Sequence, residues 1–139
     1  MVSPLISAVE IGKLAGLYEG EGCFQIIKKP SGRHLLRCDF YTTDKDIAEW
    51  IGSKLNHKVY GPYKPSKASA NSKAVIGKKP IWGVVVQGMK AAGLMMTILP
   101  LMGERRREKI LHSLAIWKSE KLDNGNLAKL RHSPAGTKK

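Results

Sequence analysis

Glycines at positions 12, 16 and 20 recur every four residues along an apolar stretch that closes in LAGLYEGEG, Leu14 to Gly22. That spacing puts all three on one face of a helix, where missing side chains let a second backbone come close. Each glycine weakens the isolated helix by roughly 1 kcal/mol relative to alanine, so close packing has to compensate. Such faces are best attested in membranes, but the contact physics is the same in a dry interface between soluble proteins. The expected interface of a symmetric dimer is therefore Gly12, Gly16 and Gly20, with Lys13 and Leu17 beside them. The helix ends on Glu19 and Glu21, charges that oppose its dipole. Two copies meeting on the glycine face would bring these acidic turns together, a repulsion that bound cations relieve. The alternative is a pair of exposed helix-end charges.

Local signals order the rest of the chain. Ser7 and Glu10 have the spacing of a capping box, which starts the first helix, and Gly20 to Gly22 should fray its end. CFQIIKK and HLLRCDFYT flank the turn-forming PSGR and predict a β-hairpin. In its second strand Leu36, Cys38 and Phe40 alternate with Arg37, Asp39 and Tyr41, one core face and one polar face. TDKDIAEWIGSKLN predicts a second helix, with Thr43 or Asp44 as N-cap and Ile47, Trp50, Ile51 and Leu55 on its apolar stripe. KVYGPY and IWGVVVQG are strands separated by a loop rich in Lys, Ser, Ala and Gly. KAAGLMMTIL and ERRREKILHSLAIWKSEK are helices, the first stopped near Pro100. The order αββαββα(α) occurs once, in an α+β fold whose four-stranded antiparallel sheet carries helices on one face. Residues 1–120 are expected as a single domain and 121–139 as a basic, flexible tail.

Charge narrows the partner. Lys and Arg number 24 against 11 Asp and Glu, a net charge of +13, and the tail supplies only +4 of it. Between Glu49 and Glu104 there is no acidic residue, while eight lysines accumulate. One-signed clustering of this kind favours a polyanion, because each neutralised phosphate releases counterions. Without an amphipathic basic helix or a lipidation signal, nucleic acid is preferred over membrane. The sheet face left bare by the helices would enter the DNA major groove with its polar side chains; a solvated face is the alternative. Cys23 and Cys38 match no zinc spacing and are expected to be reduced core residues. None of His34, His57, His112 and His132 has a metal-ligand partner at helical spacing. No apolar run approaches the ~18 residues of a membrane span and no signal peptide is apparent, so an intracellular setting is expected: cytoplasm, nucleoid or organelle.

LAGLYEGEG resembles the LAGLIDADG motif of the homing endonucleases that bear its name, with five of nine positions identical and both aspartates replaced by glutamate. The resemblance extends from about Ser7 to Lys118 through the hairpin, TDKDIAEW, IWGVVV and ILPLMGERRREKI. One copy of the motif implies a homodimer. The family resemblance implies Mg²⁺-assisted phosphodiester hydrolysis in double-stranded DNA, with Mn²⁺ able to substitute and Ca²⁺ supporting binding only. It assigns the metal to Glu21, assisted by the Gly20 carbonyl, and water organisation to Asp44, which is equally an N-cap candidate. Arg105 stands where relatives usually carry a charge-stabilising lysine; Arg106 and Arg107 share the claim. Gln25, Ile27, Arg37, Asp39 and Tyr41, together with Lys29, are the implied base readers, and Lys28, Arg33, Lys64, Lys67 and Lys79 the implied phosphate contacts. The resemblance implies staggered cleavage of a long pseudo-palindromic site. A relative that binds without cutting, as an RNA maturase or a DNA-binding regulator, is the alternative.

Overall fold

The computed structural model describes residues 6–63 and 79–132, with backbone only from 123 onward. Lys64, Lys67 and the end of the chain lie outside the described residues. Helix α1 (Ala8–Glu21) leads into strands β1 (Gly22–Lys28) and β2 (His34–Thr42), then α2 (Lys45–Leu55), β3 (Tyr60–Tyr63), β4 (Ile81–Gln87) and α3 (Met89–Ile98). A 3₁₀ turn, Leu99–Leu101, precedes α4 (Glu104–His132). This is the expected α+β arrangement: one antiparallel sheet in the order β1-β2-β4-β3, with helices on one face.

The start of α1 follows from its sequence. The Ser7 hydroxyl accepts from the Glu10 amide and the Glu10 carboxylate accepts from the Ser7 amide, so two orphan donors are satisfied reciprocally. Leu14, Ala15 and Tyr18 bury the other side of the helix. The Tyr18 ring lies 5.9 Å from Phe24 and 5.4 Å from Phe40, tying α1 to β1 and β2. Leu36, Cys38, Phe40, Val84 and Val86 complete the sheet side of the core, and Ile51, Leu94, Ile98 and Ile110 close it from the helices. At the hairpin tip Lys29 donates to the Arg33 carbonyl, and Gly32 takes φ 91°, which a side chain would resist.

Two expectations change. Asp44 occupies the N-cap of α2, but its side chain makes no capping hydrogen bond; instead its amide donates to Thr42 Oγ1 at 3.0 Å. Cys38 is buried as expected, whereas Cys23 is exposed, because the β1 alternation turns it to the bare face beside Gln25. The last helix runs from Glu104 to His132. Glu120 helps anchor that stretch: it accepts from the His34 amide at 2.8 Å and pairs with the His34 ring.

Candidate active site and nucleic-acid interface

The acidic end of α1 and the basic start of α4 meet at one end of the sheet. Gly22 leaves the helix in extended conformation, and its amide donates to the Tyr18 carbonyl. A Cβ at Gly22 would stand 2.8 Å from Tyr18 Cα, so this helix-to-strand junction accepts only glycine. Glu19 accepts from the Gly103 amide at 2.5 Å. Arg106 Nε sits 3.1 Å from the other Glu19 oxygen, close enough for an ion pair though not aligned as a hydrogen bond. The same Arg106 donates through Nη1 to the Gly22 carbonyl. Glu19 and Arg106 thus pin the two elements together, and Arg107 is occupied by the Met102 carbonyl at 3.1 Å.

Glu21 and Arg105 are left exposed, with no partner among the described residues. A cleft of about 340 Å³ lies beside Arg105, lined by Gly22, Cys23, Phe24, Arg105, Arg106 and Lys109. Lys109 is absent from the sequence expectations, although it stands one turn beyond Arg105 on the same helix face. Asp44, exposed, lies just past the end of β2 that pairs with the start of β1, hence at the same end of the sheet as Glu21. No group of three His, Cys, Asp or Glu side chains among the described residues converges to hold a metal within one protomer. A hard cation at Glu21 fits the oxygen donors of the carboxylate and the nearby helix-end carbonyls. It requires further donors from a phosphate, water or a second copy.

The glycine stripe is bare: a Cβ at Gly12, Gly16 or Gly20 would meet nothing within 4 Å, and Val9 on the same face is 82% exposed. Leu17 instead packs partly against the core, and Lys13 lies 4.2 Å over the Trp50 ring, turned toward α2.

Across the open sheet face the register aligns Gln25 with Arg37 and Arg37 with Gln87, Cys23 with Asp39 and Asp39 with Val85. Arg37 donates through Nε and Nη2 to one Asp39 oxygen, at 3.1 and 2.8 Å. That bond to Asp39 raises the guanidinium above its ordinary range. Asp39 itself is only 4% exposed, so it faces Arg37 rather than solvent. Tyr41 rests on Gly83, where a Cβ would stand 2.6 Å from the ring, and meets Tyr63 edge-on at 6.4 Å. Arg37, Tyr41, His57, Tyr60, Tyr63, Val85 and Gln87 surround a hollow of about 420 Å³. The sequence expectations include neither the β4 residues Val85 and Gln87 nor the β3 tyrosines. The alternation in IWGVVVQ carries the β4 signal once β4 is known to adjoin β2. Ile27 sits opposite Leu35, both half-buried, so that end of the face is apolar. Lys28, Lys29 and Arg33 are exposed around the hairpin tip, and Lys79 is exposed just before β4.

No family model and no curated protein matches the sequence. Solved structures do match. The homing endonuclease I-CvuI in complex with its target aligns with a TM-score of 0.59 at 17% identity, over 79% of this chain and 66% of that one. The LAGLIDADG meganuclease I-AabMI bound to uncleaved DNA aligns at 0.54 and 19%, over 84% of this chain and 37% of that one. The archaeal intron-encoded homing endonuclease I-Vdi141I complexed with DNA aligns at 0.52 and 15%, over 92% and 75%. This chain therefore spans less than two thirds of the I-CvuI chain. At these identities the likeness is one of fold.

Proposed function

From the LAGLIDADG homing-endonuclease fold that this chain has, we propose that it is a DNA endonuclease acting as a homodimer. Its substrate would be a long pseudo-palindromic duplex, cut with a stagger in the presence of Mg²⁺. The observation that carries this reading is the division of labour between neighbouring charges. Glu19 and Arg106 are consumed in pinning α1 to α4, while Glu21 and Arg105 stay exposed, Arg105 lining the cleft whose wall includes Gly22, the residue after Glu21. An exposed acid at a helix C-terminus is electrostatically unfavourable unless it meets a cation.

Glu21, with the Gly20 carbonyl, would hold Mg²⁺, which supplies positive charge at the phosphate and makes bound water more acidic. Arg105 and Lys109 would neutralise charge developing on the phosphate oxygens. Arginine keeps its proton too firmly to shuttle it, so its role is electrostatic. Asp44, its carboxylate not spent on capping, would orient the attacking water. Lys28, Lys29, Arg33 and Lys79 would hold the backbone phosphates while the open sheet face lies in the major groove. Two protomers would meet on the Gly12, Gly16 and Gly20 stripe, bringing the two Glu21 side chains toward one another.

The test is a selection from a randomised duplex library, bound in Ca²⁺ and then transferred to Mg²⁺, with wild type beside Glu21→Gln. Glu21→Gln removes charge with little change of shape. It should keep binding and lower cutting by about a thousandfold or more, the effect of losing about 4 kcal/mol of transition-state stabilisation. Binding with cutting by neither protein would turn the reading to a non-cleaving regulator or maturase.

A further inference from the structure

The open face holds one arginine in a conformation that a free side chain would have to be ordered into. A guanidinium has two donor edges: a side edge, Nε with one Nη, and an end edge made by the two Nη groups. In Arg37 the side edge is taken, because Nε and Nη2 both donate to one oxygen of Asp39. The end edge, with the outer Nη2 hydrogen and both Nη1 hydrogens, is unused among the described residues. That edge matches the O6 and N7 acceptors of guanine, and it opposes the N6 amino group of adenine, a donor. Asp39 is too deeply buried to touch a base, so its contribution is to fix the guanidinium plane.

The surroundings extend the match by one base. Beside Arg37 the hollow is walled by Tyr41, Tyr60, Tyr63 and Val85, with the His57 ring edge-on to Tyr60 at its rim and Gln87 opposite Arg37 in register. Among the described residues of this face Asp39 is the one acid, and Arg37 neutralises it, while Lys28, Lys29 and Arg33 stand at the hairpin tip. A duplex groove is therefore admitted. The feature of a base edge that suits an aromatic and aliphatic wall is the 5-methyl group of a pyrimidine. We infer that this face selects a step in which guanine adjoins a 5-methylpyrimidine, thymine or 5-methylcytosine, with Arg37 reading the guanine, Asp39 positioning Arg37 and the tyrosine hollow taking the methyl. The inference rests on the DNA-binding reading above and names what that surface prefers.

The experiment uses the full chain and duplexes enriched from a randomised library in Ca²⁺, each resynthesised with small changes in the DNA, so that the base and methyl contacts are tested on the unaltered protein. In each half-site, replacing one guanine by 7-deazaguanine should weaken binding roughly fivefold or more, the loss of part of a bidentate contact. Replacing the adjoining thymine by deoxyuridine should weaken it about fourfold, the effect of one buried methyl. Where the enriched site carries cytosine next to that guanine, 5-methylation should strengthen binding by a similar factor. Asp39→Asn should flatten the 7-deazaguanine penalty, and a folded Asp39→Asn protein that keeps the full penalty overturns the positioning role of Asp39. An enriched site with no such guanine overturns the inference, and a sensitive guanine with an indifferent neighbouring methyl overturns the methyl assignment. If no duplex is enriched, the DNA-binding reading of this face fails along with it.

Discussion

Phe40 and Tyr41 are consecutive in β2 and answer to different constraints. Phe40 faces the helices, is 1% exposed and touches the Tyr18 ring; Tyr41 faces away, is 45% exposed and leans on Gly83. The helix-side face is apolar and interdigitated, so its residues are judged by shape. The open face gathers amides, tyrosines and a single arginine held by a buried acid, an arrangement that contributes little to a core. One strand thus supplies stability on even positions and, under the proposed function, base contacts on odd ones, and a one-residue slip would exchange the two.

This contrast can be broken or sharpened in four ways. Phe40→Ala should lower unfolding free energy by about 3–5 kcal/mol in urea denaturation. A loss below about 1 kcal/mol would mean that the helix face is not the tightly packed one. Gly16→Leu moves the question to α1, whose two faces differ in the same manner. The dissociation constant of the proposed dimer should rise about a hundredfold or more, worth about 2.7 kcal/mol, by sedimentation. The protomer's own stability should hold or rise, since leucine is the better helix former and meets no neighbour there. Arg37→Met should cost about 2 kcal/mol by thermal or urea denaturation, more than a surface residue usually does, because it strands the buried Asp39 charge. Replacing Asp39 by leucine in the same chain should recover much of that loss. The smallest effect belongs to Glu10, which Lys54 and then the Ser7 amide hold down at about 2, against an ordinary 4.5. Because the folded value is the lower one, its stabilisation is present above pH 4.5 and is lost as pH falls toward 2. Melting temperatures of wild type and Glu10→Gln should therefore converge across that interval.

Elements governed by neighbours in sequence were legible before the fold was known. The capping box of α1, the alternation in β2 and the apolar stripe of α2 rest on contacts within a few residues, and their boundaries fell within one or two positions. What could not be read depends on partners distant in the chain. Three consecutive arginines are equivalent as a string. Only the contact of Arg106 with Glu19 and Gly22, 84 or more residues away, separates it from Arg105. His34 appeared idle because Glu120 lies 86 residues on. Val85 and Gln87 were missed because the sheet order seats β4 beside β2, bringing Gln87 opposite Arg37. The depth of Asp39 could not be read either, since alternation gives the face of a side chain and not how far it is buried.

Gly22 has no side chain to bind a metal, a base or a partner, yet the backbone of Tyr18 leaves no room there for a Cβ. In a saturation-mutagenesis map it should therefore score as intolerant as the carboxylate beside it. Ranked by tolerance alone, the two would be indistinguishable. A purified Gly22→Ala protein separates them, because its defect should register as lost folded yield, whereas that of Glu21→Gln should register as a well-folded protein without turnover.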